Sequence, residues 1–437
     1  MSDSKAKSNI YLPRSVVGWA DALIGLIAIL GFFFALRVFS QEQLSNPQFL
    51  IILIGVLAVA IGVIEIYRAP WRSTLPSQDP WSQIIGRACI KLLGFFTALS
   101  GIIFLYWLLP EYDRSYYRLF FEAGVTVLPW LPLVCIPYFI YVEYRLPYEK
   151  GGAWEAAQFI LGQWKNIDWN VLSQYSLGWL VKGFFLPIMF GDVVNNLGYL
   201  RAADWNVLSM DFVTAFDLLF LALINLELVF VSAGYIFTCR LFDSHIRFVE
   251  KTLFGWFIAL ISYGPFLSLV YVRYFAYNAD GTNWLDWLSA YPTLTVIWGS
   301  TILILLVLHL WSDACFGLRF SNLTHRGIIT NGLYRFSKHP AYLIKNIRWW
   351  MVAVPFVAVS WHEALRLSLL LLCVNAVYTL RSYAEERMLS QDPVYVAYAR
   401  WMERHGAVRW LGRLIPWYSY EWRLRRWQQQ GIVTRTQ

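Results

Sequence analysis

Charge and cysteine are both scarce in this chain. Of its 437 residues only 15% are charged, whereas a soluble domain carries about a quarter. That shortage excludes a large soluble fold. With 58% hydrophobic residues and a mean hydropathy of +0.47, it places the chain among integral membrane proteins. The 5 cysteines (Cys89, Cys135, Cys239, Cys315 and Cys373) are scattered. Without Cys-x-x-Cys spacing they exclude a thiolate metal site and a disulfide framework, and they read as packed apolar thiols. His245, His309, His325, His362 and His405 show no ligand spacing, so no metal is expected. There is no Walker motif and no Gly-x-Gly-x-x-Gly. No cleavable leader is expected, because the start Met-Ser-Asp-Ser-Lys-Ala-Lys is polar and the first apolar run is long enough to stay in a bilayer.

Long apolar runs are abundant. A membrane span needs about 20 mostly apolar residues. Ten candidates occur, at about 15–36, 48–67, 90–109, 120–143, 175–197, 211–236, 252–272, 291–311, 344–360 and 363–380. The last two predict a tight hairpin with Ser360-Trp361-His362-Glu363 at its tip. The 23 Trp and 26 Tyr suit membrane–water interfaces and packing between helices. The expected fold is therefore an all-α, polytopic transmembrane helix bundle of about ten spans. Its net charge of +8 marks a surface facing anionic lipid and the cytoplasm, not nucleic acid.

Lys and Arg fall unevenly between the two sides. The N-terminus, the even-numbered loops and the C-terminal tail hold 29 of the 36, and the odd-numbered loops hold 5. This asymmetry predicts both termini in the cytoplasm, together with loop 312–343 and tail 381–437. The Asn322-Leu-Thr324 sequon is discounted on that topology. Two units are expected: residues 1–290, a bundle of seven spans of unknown role, and 291–437, with three spans and a basic tail. One string repeats. Asp168-Trp-Asn-Val-Leu-Ser173 returns as Asp204-Trp-Asn-Val-Leu-Ser209. Each copy precedes a span, so Asp is placed to cap a helix and Trp to anchor it, on opposite sides of the membrane.

Two polar strings stand out against this apolar background. One is Arg326-Gly-Ile-Ile-Thr-Asn-Gly-Leu-Tyr-Arg-Phe-Ser-Lys-His-Pro-Ala-Tyr342; the other is Arg381-Ser-Tyr-Ala-Glu-Glu-Arg-Met-Leu389. Gly332 and Pro340 break the first string, and a helix starts well at Pro340. Free amides at that helix start, beside His339 and Tyr342, favour a carboxylate or phosphate. Arg381 and Glu385 share a helix face, while Glu386 points away by about one hundred degrees. Taken singly, these residues also read as a helix-end ion pair, an interfacial histidine and belt tyrosines.

Together they resemble a family signature. The run Arg326 to Tyr342 is similar to the first motif block of isoprenylcysteine carboxyl methyltransferases and phospholipid methyltransferases. Glu385-Glu386-Arg-Met-Leu389, followed by Tyr395 and Tyr398, is similar to the second block. The resemblance covers about the last 130 residues. It implies an S-adenosylmethionine-dependent methyltransferase with a cytoplasmic cofactor pocket and a lipid-like or prenylated acceptor. By position, Arg326, Gly327, Ile328, Ile329 and Tyr334 would line the adenosine. His339, Pro340, Ala341 and Tyr342 would contact the amino-acid end or the sulfonium, and Glu385 would hold the α-ammonium. Arg381 matches the substrate-facing arginine, and His339 and Arg381 are the candidate catalytic residues. Lys338 departs from the usual arginine before His-Pro, which keeps the charge and loses bidentate geometry.

No dedicated base is evident near these strings. That favours a carboxylate acceptor, which needs none, or water serving an amine. Lys182, Asp192, Asp217 and Glu227 lie in or near spans, where charge is costly. Glu227, with Asn225, is the deeper and is expected to contact substrate. The basic tail 400–426, interleaved with Trp and Tyr, predicts an amphipathic helix on anionic lipid. Two other classes compete. Sterol reductases using NADPH carry a related block, but theirs reads His-Pro-Asn-Tyr, so Ala341 and Glu385-Glu386 favour the methyltransferase. A transporter rests only on the span count and the repeated string.

Overall fold

A computed structural model describes residues 11–38, 44–146 and 148–433. Residues 1–10 therefore lie outside the described chain, including the polar start on which part of the orientation argument rests.

Helices α1 (Trp19–Val38), α2 (Asn46–Arg68) and α3 (Trp81–Leu108) open the bundle. Ser45 starts α2 with a capping box, its side chain and that of Gln48 bonding each other's backbone. Helices α4 (Ser115–Val127) and α5 (Leu131–Arg145) run on through a short turn at Leu128–Trp130. Then come α6 (Gly151–Ile160), α7 (Trp169–Ala202) and α8 (Phe212–Ile236). A two-residue strand β1 (Phe248–Val249) precedes α9 (Leu253–Leu260) and α10 (Trp284–Leu288). After α11 (Pro292–Ala314) comes β2 (Thr324–His325), antiparallel to β1. The chain ends with α12 (Pro340–Ala353), α13 (Trp361–Leu389), α14 (Pro393–His405), α15 (Arg409–Leu414) and α16 (Tyr420–Gln429).

Among the described residues, seven helices are long and apolar enough to cross a membrane: α2, α3, α4 with α5, α7, α8, α11 and α13. The apolar run 15–36 falls on α1. The remaining two of the ten predicted runs are not single spanning helices. Run 252–272 is cut after α9 at Gly264-Pro265 and resumes as a single wide turn, Ser268–Val272. Run 344–360 stops at Ala353, where Val354 turns left-handed (φ 37°) just before Pro355, a residue that cannot continue the helix. The predicted hairpin of two spans is therefore not formed as such: residues 354–360 join α12 to α13, Ser360 caps α13, and Trp361, His362 and Glu363 are its first turn.

Residues α1, α2, α7, α8 and α11 share one apolar core, which includes Phe49, Leu57, Val193, Phe230 and Leu310. Both repeated Asp residues are helix caps. Asp168 accepts from the amides of Asn170 and Val171, and Asp204 accepts from that of Asn206. The two copies bracket α7, whose 34 residues span about 51 Å.

The positively charged loops gather at one end of the bundle. Trp71 Nε1 donates to Leu241 O at 3.1 Å, Arg240 pairs with Glu149 at 3.3 Å, and Arg247 N donates to His325 O at 2.8 Å. The segment before α1 joins them, with Val16 N donating to Ile328 O at 3.1 Å. At the other end Arg201 donates to Leu44 O at 2.9 Å and to Asn46 Oδ1 at 2.7 Å. The described parts of the N-terminal segment and the C-terminal helices thus lie on the same end. Contacts cross residue 290 freely through β1–β2 and through α8 against α11.

Candidate active site

Between α11 and α12 the chain is mostly irregular, and buried polar groups hold it in place. Gly327 has φ 115° and packs against Val16, where an added Cβ would meet Val16 Cγ2 at 2.7 Å. Arg326 is 3% exposed. Its guanidinium donates to the carbonyls of Ser244 (2.6 Å), Gly234 (2.7 Å), Phe320 (2.8 Å) and Leu318 (2.7 Å). Burial lowers its pKa to about 9, so it stays charged at neutral pH while fixing the loop. The expected Arg326–Ile329 strand does not form: β2 ends at His325 and the following residues are irregular. Tyr398 Oη donates to Tyr334 O at 2.6 Å, which links the second motif block to the first.

Pro340 starts α12 as expected and leaves His339 at the helix cap. There the two strings meet. His339 Nδ1 lies 3.5 Å from Glu385 and its Nε2 lies 3.2 Å from Glu386. Its ring stacks on Tyr342 at 5.6 Å, and the Tyr342 hydroxyl donates to Glu385. Glu386 lies off the cavity wall on which Arg381 and Glu385 stand, yet it reaches His339. It also meets Lys338 at 2.8 Å and Arg423 of α16 at 2.8 Å. The helical-wheel angle between the two carboxylates stands; His339 bridges them, and Lys338 meets Glu386. Burial pushes the Lys338 ammonium below the ordinary lysine value, against the pull of Glu386.

Arg423 also changes the reading of the basic tail. Tyr420, Arg423, Leu424 and Trp427 are buried against α14, so one face of α16 closes over the motif helix. Arg381 forms no ion pair with Glu385. Its guanidinium sits among the rings of Tyr263, Tyr342 and Tyr378 at 5.1–5.5 Å. Nη2 donates to Asn322 Oδ1 at 3.2 Å, and Nε is buried without a partner.

Lys338, His339, Tyr342, Arg381 and Glu385 line one cavity of about 180 Å³. On its wall are Arg326, Gly327, Ile328, Ile329, Tyr334, His339, Ala341, Tyr342, Arg381 and Glu385, which are the positions the sequence singled out except Pro340. Glu227 lines it too, from α8. Lys182 lies elsewhere, over the Trp179 ring at 3.9 Å, and Asp192 accepts from Tyr116 at 2.7 Å.

The wall also brings Glu227 together with two residues that the sequence did not single out, His309 and Asp313. Glu227 Oε2 lies 2.9 Å from His309 Nδ1. His309 and Asp313 are one turn apart on α11, hence on one face. Donor atoms of Glu227, His309 and Asp313 all fall within 4.8 Å of one another, a spacing compatible with a metal ion. However, Lys345 and Arg348 of α12 both act on Glu227 and Asp313. Two cations already balance two carboxylates, which disfavours a further divalent charge. The signal for this group was an i, i+4 His–Asp pair on an apolar helix and a lone intramembrane Glu. Its partners are 82 residues apart in sequence.

The fold and site define a polytopic helical membrane protein with a polar cavity at the end of its bundle. Residues 292–391 match the isoprenylcysteine carboxyl methyltransferase (ICMT) family. The matched stretch runs from the start of α11 to just past α13 and lies within the C-terminal third. No curated protein and no solved structure matches the chain.

The cavity residues suit S-adenosylmethionine. Glu385 offers a carboxylate for an ammonium, Tyr334 and Tyr342 offer ring faces, and the Arg326–Ile329 backbone lies alongside. The orphaned Nε of Arg381 leaves one buried donor for an acceptor oxygen.

Proposed function

We propose that this protein is an S-adenosylmethionine-dependent methyltransferase acting on a lipid-like or prenylated acceptor dissolved in the membrane. The observation that carries the reading is the meeting of His339 and Glu385 at 3.5 Å on the wall of the cavity. Glu385 would hold the α-ammonium of the cofactor, and His339, Ala341 and Tyr342 would surround its amino-acid end. Arg326 to Ile329 and Tyr334 would flank the adenosine. The cofactor supplies a methyl group on a sulfonium. The residues do the rest by positioning it and excluding water.

Arg381, held by three aromatic rings, would orient the acceptor, and Glu227 would contact it. The acceptor enters from the bilayer, and the cofactor from the end that carries the Lys/Arg-rich loops, which is cytoplasmic on the positive-inside rule.

The test is binding to purified full-length protein in detergent. S-adenosylhomocysteine should bind with about micromolar affinity. Glu385→Ala should weaken it about 10–100-fold, the loss of one charge-assisted hydrogen bond. Calorimetry that finds NADPH binding and no S-adenosylhomocysteine binding would replace this reading with a membrane reductase.

A further inference from the structure

The Glu227–His309–Asp313 group lies on the cavity wall but is not needed to hold a sulfonium cofactor. His309 is 4% exposed, on a helix expected to cross the membrane. A polar ring there is costly unless its nitrogens are engaged. Nδ1 is engaged by Glu227 at 2.9 Å. Nε2 has no hydrogen-bond partner among the described residues, and the ring borders the cavity. A carboxylate on one imidazole nitrogen fixes the tautomer and supports positive charge, leaving the other nitrogen to take a proton. Asp313, one turn on, places a second carboxyl group within 4.8 Å of the pair.

We infer that His309, oriented by Glu227, is the proton acceptor for the methyl acceptor, and that this acceptor is a nucleophile still bearing its proton, an amine or a hydroxyl, not a carboxylate. The inference rests on the methyltransferase reading above. In the step, the acceptor's nitrogen or oxygen forms a bond to the methyl carbon while the carbon–sulfur bond of the donor breaks and its electron pair stays on sulfur. The X–H proton passes to His309 Nε2. A carboxylate acceptor would release no proton and would have no use for this group. The absence of a base from the motif strings, which favoured a carboxylate, is thus answered by residues that those strings do not contain.

Several charged groups bear on this pair: Glu227 from α8, Asp313 from α11, Lys345 and Arg348 from α12, with Tyr334 beside Asp313. The pH dependence therefore belongs to the cluster.

The experiment uses full-length protein in micelles, labelled S-adenosylmethionine and three probes: a long-chain amine, a long-chain alcohol and a fatty acid. The amine or the alcohol should be methylated, with a rate that rises tenfold per pH unit before a plateau. His309→Gln should lower that rate about 100-fold or more, remove the inflection, and leave S-adenosylhomocysteine affinity within about twofold. Glu227→Gln should lower the rate less and move the inflection. Methylation of the fatty acid alone, or an unchanged profile in His309→Gln, overturns the proposal. So does loss of wild-type activity to a chelator with recovery on adding zinc, which would make the cluster a metal site. If His309→Gln does not fold, a flat wild-type profile for the amine or alcohol overturns it equally. Failure of the wild type to bind S-adenosylhomocysteine removes the methyltransferase reading itself. Binding with an unchanged His309→Gln profile removes only the role of His309.

Discussion

In one part of the site, His339, Lys338, Glu385 and Glu386 come from the two motif strings and are tied together by three ion-pair contacts, with a fourth from Glu386 to Arg423. In another, Glu227, His309 and Asp313 come from two spanning helices and share one short contact. The first is a network in which one carboxylate, Glu386, serves as a structural hub. The second is a spare pair with a free nitrogen. Crowded ion pairs fix geometry, and a group left with unused valence is better placed to react.

The adjacent carboxylates break this comparison most directly. Glu386 is 2% exposed and meets Lys338, His339 and Arg423. Removing it strands buried cations, which costs about 3–5 kcal/mol. Glu386→Ala should therefore show the largest stability loss of any change at the site, read as a lower denaturation midpoint in micelles. Glu385→Ala, whose partner Tyr342 remains paired with the aromatic wall, should lose about 1 kcal/mol or less while losing cofactor affinity. Equal destabilisation by the two variants would remove the distinction between hub and ligand.

The second effect concerns Arg381. With no carboxylate within pairing distance among the described residues and an orphaned Nε, it is kept by ring faces and Asn322 alone. Arg381→Ala should cut kcat/KM for the acceptor about 10–100-fold, the worth of one charged hydrogen bond. S-adenosylhomocysteine binding should change about twofold at most. Equal loss of both would place Arg381 on the cofactor and merge the two parts of the site.

Different parts of this arrangement were legible in the sequence for different reasons. The bundle was readable because apolar runs of span length have few alternatives in water or lipid. The broken runs at 252–272 and 344–360 were misjudged where Gly264-Pro265 and Pro355 outweighed hydropathy. The motif part of the site was readable because its residues are local in two strings. Glu386 lies off the cavity wall as a helical wheel reads it, but a single-helix wheel does not show that Lys338, His339 and Arg423 pack against it. In the tail, Arg404, Arg409, Arg413, Arg425 and Arg426 are exposed, while Arg423 is buried against Glu386, a contact that the tail's own pattern does not reveal. His309 and Asp313 were hidden because their partner lies on α8, and no pattern within one helix reveals a contact between helices.

The smallest effect tests whether the motif part of the site is held by its outer contacts as well as by Glu386. His325 Nε2 lies 2.8 Å from Asp392, which also caps α14 through Val394 N at 2.8 Å. The hydrogen bond from His325 lowers the Asp392 pKa below the ordinary aspartate value. A carboxyl whose native pKa is depressed adds stability above its unfolded pKa of about 3.9, and that stability is lost as pH falls through the native value. Asp392→Asn keeps a good cap but removes the charge, so it should cost about 1 kcal/mol or less at pH 7. Melting curves of wild type and variant should converge as pH drops below about 4. A gap of constant size down to pH 2 would show that the cost comes from lost packing, and that His325 and Asp392 do not hold the motif loop through charge.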